Sequence, residues 1–383
     1  MQHFFVGFDC LSLPANFSGA GYYIYYLARE LLQHIRNFPI AVLCKPDHAD
    51  LFSPYLQSSD KIISIPLANR ISRLSFYELG LKKVLIREKI ELFHASHYLC
   101  PPRNEKYQIV NTFHDMGFFL HPNYYPVSKR LFFTKRMGIF LNRSERITAV
   151  SKSTREAIVD FFPEYANKIS VIYPGADHLM NENVRPDLSV NFDRPFILAV
   201  NSLEKRKNIP FIIKVFDRLK RNFGIAHEFL LVGHISNGFQ QVLREINQSK
   251  FSADVHVRLS IPLKQLVHHY QNADFFINAS SYEGFGFSPL EAINNQLPTF
   301  LFRNQVVKEL LDDHPYAFTD WDVDDWAKYI YEEMQNNFAN KITSEKIKPF
   351  TWNNTAAKFI ELYEQIISTS GIRSGRKETA VAS

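Results

Sequence analysis

The chain has 383 residues, 46% of them hydrophobic and 22% charged, enough for two or three domains with substantial cores and too apolar for a disordered chain. Its three cysteines, Cys10, Cys44 and Cys100, form no CxxC pair, which excludes a disulfide scaffold and a cysteine-type zinc site and fits a reducing cytoplasm. The formal charge is +5, and the whole excess lies in the first half: residues 1–190 carry 22 Lys and Arg against 17 Asp and Glu, and residues 191–383 carry 22 against 22.

No run reaches the roughly 18–20 uncharged apolar residues of a membrane span. The start, MQHFFVGFD, lacks the charged head and long apolar core of a signal peptide and reads as a first strand. Strands are then expected at 4–8, 40–44, 62–65, 92–95, 109–112, 147–150 and 169–172, with helices at 22–37, 81–89, 127–142 and 154–162. Residues 181–195 are polar, hold two prolines and lack periodicity, so the linker belongs there. The second half alternates more clearly. Strands are expected at 196–200, 229–232, 255–259, 275–279 and 299–302, and helices at 209–221, 239–247, 263–272, 289–295 and 306–311.

This rhythm predicts an α/β chain of two Rossmann-like domains, 1–185 and 186–350, facing across a cleft at the carboxyl ends of their sheets. A helix at 351–368 is expected to return to the first domain. The polar tail 369–383 is expected to be disordered.

Three loops carry chemistry. In Glu283-Gly-Phe-Gly-Phe-Ser-Pro-Leu-Glu291, directly after the strand at 275–279, Gly284 and Gly286 let a strand-to-helix turn expose its N–H groups, and Pro289 suits the first helical turn. Glu283 and Glu291 set two carboxylates at different depths of one cleft, placed to accept hydrogen bonds from vicinal hydroxyls. A glycine turn with a capping acid explains the same spacing. Glu204-Lys-Arg-Lys-Asn208 puts three cations at a strand's carboxyl end, where they suit a diphosphate; a surface loop is the plainer reading. Ser18-Gly-Ala-Gly21 precedes a helix but lacks the third glycine and the immediate strand of a dinucleotide fingerprint, which disfavours nicotinamide or flavin.

In combination these residues resemble the retaining nucleotide-sugar glycosyltransferases of the GT-B fold (group 1, family 4-like), and most of all their bacterial mannosyltransferases. The similarity lies in the EGFG turn with a second Glu eight residues on, the Arg206-Lys207-Asn208 loop and the Gly19/Gly21 loop. It continues in His114-Asp115, Val150-Ser151, Tyr173-Pro-Gly-Ala-Asp177, Leu297-Pro298 and Phe350-Thr-Trp352. The resemblance implies that Lys207 and Arg206 bind the donor diphosphate and Glu291 the ribose hydroxyls. It implies that Glu283, with the amides of Phe285 and Gly286 after Gly284, binds the transferred sugar, that His114 contacts that sugar, and that Gly19 approaches the phosphates. Glu283, His114 and Lys207 form the implied catalytic set. Retention by front-face attack needs no enzymic nucleophile. The sequence departs from the family at Asn201 and Lys205, where glycine and proline are usual, and at Tyr22, where Arg is frequent.

The alternating acids Asp320, Asp322, Asp324 and Asp325 mimic a metal-binding pair but precede a helix expected at 326–335, where capping explains them; no metal is expected. His268 and His269 have no third ligand, and His94, His97 and His121 are scattered. The short basic loop and the lack of a recognition module disfavour nucleic acid. Segment 127–146 holds six cations against one acid, a net of +5. At about 100° per residue Lys135, Arg136, Arg143 and Arg146 fall on one side, beside Phe132 and Ile139. Such a face suits an anionic membrane surface or the acceptor; an ordinary solvated face is the alternative. Phe118, Phe119, Tyr124, Tyr125, Phe132 and Phe133 join it as a candidate acceptor or membrane face.

The expectation is a cytoplasmic glycosyltransferase, peripheral at the inner membrane face. It would move a sugar, first mannose from GDP-mannose, to a glycan or lipid-linked acceptor in surface-polysaccharide assembly. A nucleotide-sugar epimerase of the same fold and a non-catalytic subunit are the alternatives.

Overall fold

A computed structural model describes residues 4–14, 17, 19–180, 194–338 and 347–369. They divide into two units, each built on one all-parallel sheet. The linker expected at 181–195 and the tail at 369–383 lie almost wholly outside the described residues, as does Ser18.

The first unit takes residues up to Met116, then Phe133–Gly175 and the chain from Thr351 onward. Its strands are β1 (Phe5–Asp9), β2 (Ile40–Cys44), β3 (Lys61–Ser64), β4 (Ile90–Ala95), β5 (Gln108–Phe113), β6 (Arg146–Ala149) and β7 (Ile169–Val171), in the order β3-β2-β1-β4-β5-β6-β7. Central strands such as β2 (IAVLC) are buried at every position, as expected of parallel strands covered on both faces. The helix Trp352–Thr369 packs on this unit: Trp352 stacks on Tyr26, and Thr355 Oγ1 donates to the Tyr173 carbonyl at 2.9 Å. His94, one of the scattered histidines, is fully buried between Tyr363 and Thr112.

The second unit takes Ala176–Phe350 and, from the first half of the chain, Gly117–Phe132. Its strands are β8 (Phe196–Leu203), β9 (Glu228–Ile235), β10 (Val255–Leu259), β11 (Phe275–Asn278), β12 (Thr299–Phe302) and β13 (Ala317–Phe318), in the order β10-β9-β8-β11-β12-β13. Its core joins Leu203, Ile213, Phe229, Phe275, Phe300 and Trp326. Both sheets reverse their strand order once, between β1 and β4 and between β8 and β11, and open α/β sheets bind ligands beyond the carboxyl ends at such points.

Two local features depart from expectation. The helix anticipated from residue 81 begins at Arg70, capped by a reciprocal Asn69–Ser72 box, and passes through a π-helical turn at Phe76–Gly80 before Leu81–Arg87. The strand β13 is only two residues long, too short for any periodicity. Among the described residues no helix is long and apolar enough to cross a membrane.

Candidate active site

The adjacent strands β8 and β11, paired with Phe275 opposite Ile197, carry the two charged loops of the second unit. After β8, Lys205–Lys207 makes one 3₁₀ turn, and Asn208 takes a left-handed conformation before the helix Ile209–Phe223. After β11 the chain turns at Gly286, whose φ of 87° is costly for any residue with a Cβ, into the helix Phe287–Asn294. Pro289 falls in the first turn of that helix, as expected. Phe285 is buried against Phe287 and Phe350. No side chain caps Gly286, and the first turn of a helix leaves backbone N–H groups without intrahelical partners.

The two loops are tied together. Ser281 N donates to the Arg206 carbonyl at 2.9 Å, and at the strand ends Asn278 Nδ2 donates to Asn201 Oδ1 at 3.0 Å. Asn201 replaces the family's usual glycine and here completes a buried amide pair. Above that pair, Glu283 accepts from Arg206 Nη1 at 2.6 Å through one oxygen and from Lys207 Nζ through the other. Arg206 also donates to the Tyr282 carbonyl at 2.8 Å and to Glu204 at 2.6 Å. Lys207 and Glu283 are both buried, while Lys205 is exposed.

These contacts set the electrostatics. Burial works to raise the Glu283 carboxyl, but Lys207 and Arg206 overcome it and hold it at about 2. Burial pushes the Lys207 ammonium below its ordinary range, and Glu283 opposes that. Two cations and two carboxylates, Arg206 and Lys207 with Glu204 and Glu283, therefore balance.

Glu291 lies deeper, in the helix Phe287–Asn294. One carboxylate oxygen accepts from Tyr270 Oη at 2.8 Å, and the other lies 3.1 Å from His178 Nε2. Neither partner was legible in the sequence as such. Tyr270 reads as an apolar position of its helix, whereas His178 directly follows the 173–177 motif, and that adjacency was the signal available. Residues 117–132 add a further set. Ser281 Oγ is 3.1 Å from the Tyr124 hydroxyl, Asn237 Nδ2 donates to the Tyr124 carbonyl, and the His121 ring lies 4.8 Å from Tyr282.

The structure thus joins Arg206, Lys207 and Glu283 by direct contacts in the second unit; Gly284, Phe285 and Gly286 form the turn that follows Glu283, and Glu291 lies in the next helix with partners of its own. Gly19 and His114 belong to the first. Gly19 sits at φ 42°, immediately before the helix Ala20–Gln33. His114 Nε2–H donates to the Ser96 carbonyl at 2.8 Å and Tyr23 packs edge-on to its ring. Burial lowers its basicity, opposed by Ser96 and Asp115, so it is a neutral imidazole with Nδ1 as its acceptor.

The basic face expected along 127–146 is revised. The helix Val127–Arg143 ends where Glu145 N pairs with the Ile109 carbonyl instead of a helical one. Arg146 is therefore on β6, not on the helix face. Arg136 and Arg143 both bind Glu78, Arg143 at 2.9 Å, which cancels part of the local charge. Lys135 remains exposed. The aromatic face contracts likewise: Phe133 is buried against Tyr98, and Phe118 against Tyr125. Elsewhere Asp322 caps the helix Val323–Gln335, accepting from the amides of Asp324 and Asp325, as the capping reading requires. His268 and His269 are buried in the helix Leu263–Asn272.

Comparison with known proteins places both halves. Residues 17–178 match the model of Glycosyltransferase Family 4, and residues 180–349 that of Glycosyl transferases group 1. The chain is 22% identical over 284 residues to O-antigen chain mannosyltransferase B of Escherichia coli, covering 71% of this chain and 74% of that protein. It is 22% identical over 335 residues to O-antigen chain mannosyltransferase RfbU of Salmonella typhimurium, covering 82% and 89%. In fold it is similar to the sucrose-phosphate synthase of Thermosynechococcus elongatus, with a TM-score of 0.74 at 15% identity, covering 96% of this chain and 100% of that one. With the paired cations and carboxylates at the β8/β11 switch point, these matches identify the chain as a GT-B glycosyltransferase, of family 4 type in its first half and group 1 type in its second.

Proposed function

We propose that this glycosyltransferase moves a sugar from a nucleoside-diphosphate sugar to a glycan or lipid-linked acceptor, with retention of anomeric configuration. The observation that carries the reading is the Glu283 carboxylate held between Lys207 and Arg206 at the end of β8 and β11. A diphosphate entering this loop takes over the two cations, and Glu283, released from them, accepts from hydroxyls of the transferred sugar. In the transfer step the bond from C1 to the leaving phosphate oxygen breaks and a bond from C1 to the acceptor oxygen forms on the same face. The acceptor proton passes to the leaving phosphate oxygen. Lys207 and Arg206 stabilise the charge that develops there, and removing one such donor costs roughly 10²–10³ in rate. Glu291 receives the ribose hydroxyls, and the backbone amides after Gly284 the sugar. From the first unit, Gly19 gives the phosphates close backbone approach, and His114 offers a neutral imidazole to the sugar. No metal has a role in this scheme.

Mannose from GDP-mannose is the first candidate donor, supported by two relatives named as O-antigen mannosyltransferases, and surface-polysaccharide assembly at the cytoplasmic face of a membrane is the matching setting. An anionic bilayer surface is supported by the exposed Ile71, Leu79 and Ile139 with Lys135 and Lys83. The Glu78 ion pairs hold the segment of Leu79 against the helix of Ile139. Exposed apolar side chains together with lysines are the composition that such a surface binds.

The test is incubation with a panel of nucleotide sugars, following nucleotide release and sugar identity, with Glu283→Ala as control. Release from one donor, increased by acceptor and lost in the variant, supports the proposal. An isomerised sugar nucleotide, or binding without turnover, contradicts it; the glycosyltransferase matches favour neither outcome.

A further inference from the structure

Glu291 is 2% exposed, and both of its carboxylate oxygens have a close polar neighbour. Tyr270 Oη donates to one at 2.8 Å, and His178 Nε2 stands 3.1 Å from the other. His178 itself is buried and built into place. It opens the short turn His178–Met180, and just before it Asn294 Nδ2 donates to the Ala176 carbonyl at 2.8 Å while Ala176 N donates to the Phe350 carbonyl at 2.8 Å. The Phe287 ring stands edge-on to the imidazole. For its contact with Glu291 to be attractive, Nε2 must carry hydrogen.

We propose that His178 is a positioning residue for nucleotide recognition: with Tyr270 it fixes the Glu291 carboxylate so that the remaining lone pairs of its two oxygens face the ribose hydroxyls. This rests on the assignment of Glu291 to the ribose. A carboxylate bonded at one oxygen by Tyr270 and confined at the other by the His178 ring 3.1 Å away receives a vicinal diol without first ordering itself, and that pre-organisation is where the affinity gain lies. Without His178 one oxygen loses its close imidazole neighbour, and the loss falls on ligands that have the hydroxyls.

Calorimetric titration of GDP and UDP, each against its 2′,3′-dideoxy counterpart, tests this on the full chain, on His178→Leu and on Tyr270→Phe. The native protein should bind the ribose form at least tenfold more tightly. Leucine at 178 should weaken the ribose form roughly 10- to 100-fold and leave the dideoxy form nearly unchanged; phenylalanine at 270 should narrow the discrimination less. A general loss of structure would weaken both forms alike. Undiminished discrimination in His178→Leu overturns the proposal; if that variant does not fold, undiminished discrimination in Tyr270→Phe does the same. If the native protein does not distinguish the two forms, the ribose assignment of Glu291 itself is wrong.

Discussion

Substitution of Glu283 by glutamine separates the two things this carboxylate does. It is the shared partner of Lys207 and Arg206, so glutamine leaves two buried or half-buried cations with Glu204 as the remaining carboxylate, 2.6 Å from Arg206. Removing one member of a buried pair costs about 3–5 kcal/mol. Because the amide oxygen still accepts one hydrogen bond, about 3 kcal/mol is expected. For a unit of this size that is a fall in Tm of about 6–12 °C. Binding of a free nucleoside diphosphate should move the other way. The native protein must draw Lys207 off Glu283 before the phosphates can use it, and the variant need not, so Kd should fall about tenfold, or about 1.4 kcal/mol. Turnover should fall roughly 10²–10³-fold, since the sugar loses its carboxylate. Acidity gives an internal check. The Glu283 carboxyl is held at about 2 against an ordinary 4.5, so its stabilisation is complete above 4.5 and lost as pH falls through 2. The stability gap between native and variant should close over that window. Calorimetry with GDP and UDP, thermal unfolding at several pH values and nucleotide-release kinetics measure all of this. Weaker diphosphate binding in parallel with weaker turnover would refute the reasoning, because Glu283 would then be aiding the cations rather than occupying them.

Activity should be unchanged in EDTA; abolition rescued by manganese would mean that a metal, rather than Lys207 and Arg206, carries the leaving-group charge. Anionic vesicles should co-sediment the protein while neutral ones do not, and Leu79→Ser with Ile139→Ser should reduce that binding several-fold with turnover on a soluble acceptor retained. Equal binding of the native protein and the double variant contradicts the placement of the face. The first unit should lose stability as pH falls below 6.5, because burial holds His94 at about 3, and the unfolded chain takes up a proton there that the folded one refuses. Replacing His94 with glutamine should flatten that part of the pH–stability curve, and an unaltered slope would show the loss to arise elsewhere.

The α/β alternation was legible because parallel strands buried on both faces read as apolar runs, as in IAVLC at 40–44, and the intervening helices keep a 3.6-residue period. The charged loops were legible because glycine, proline and clustered cations at strand ends have few structural explanations. What stayed hidden depends on distance in the chain. Nothing local says that Tyr270 meets Glu291, that Glu78 meets Arg136 and Arg143, or that Asn201 meets Asn278. The helical wheel failed at Arg146 because periodicity does not show where the chain leaves the helix to pair with β5. It also counted charges without their partners, so a face with a local excess of five lost Arg136 and Arg143 to a glutamate 58 and 65 residues away. The grouping of Gly117–Phe132 with the second unit was equally invisible, since its contacts, such as those of Tyr124 with Ser281 and Asn237, join residues more than a hundred positions apart.

The most direct test of the account is the anomeric configuration of the product, read by NMR after reaction with the donor that supports nucleotide release. Retention, with one nucleoside diphosphate released per glycosidic bond and both lost in Lys207→Ala, is the predicted result. An inverted product, or a glycosidic bond formed at native rate in Lys207→Ala, would contradict it.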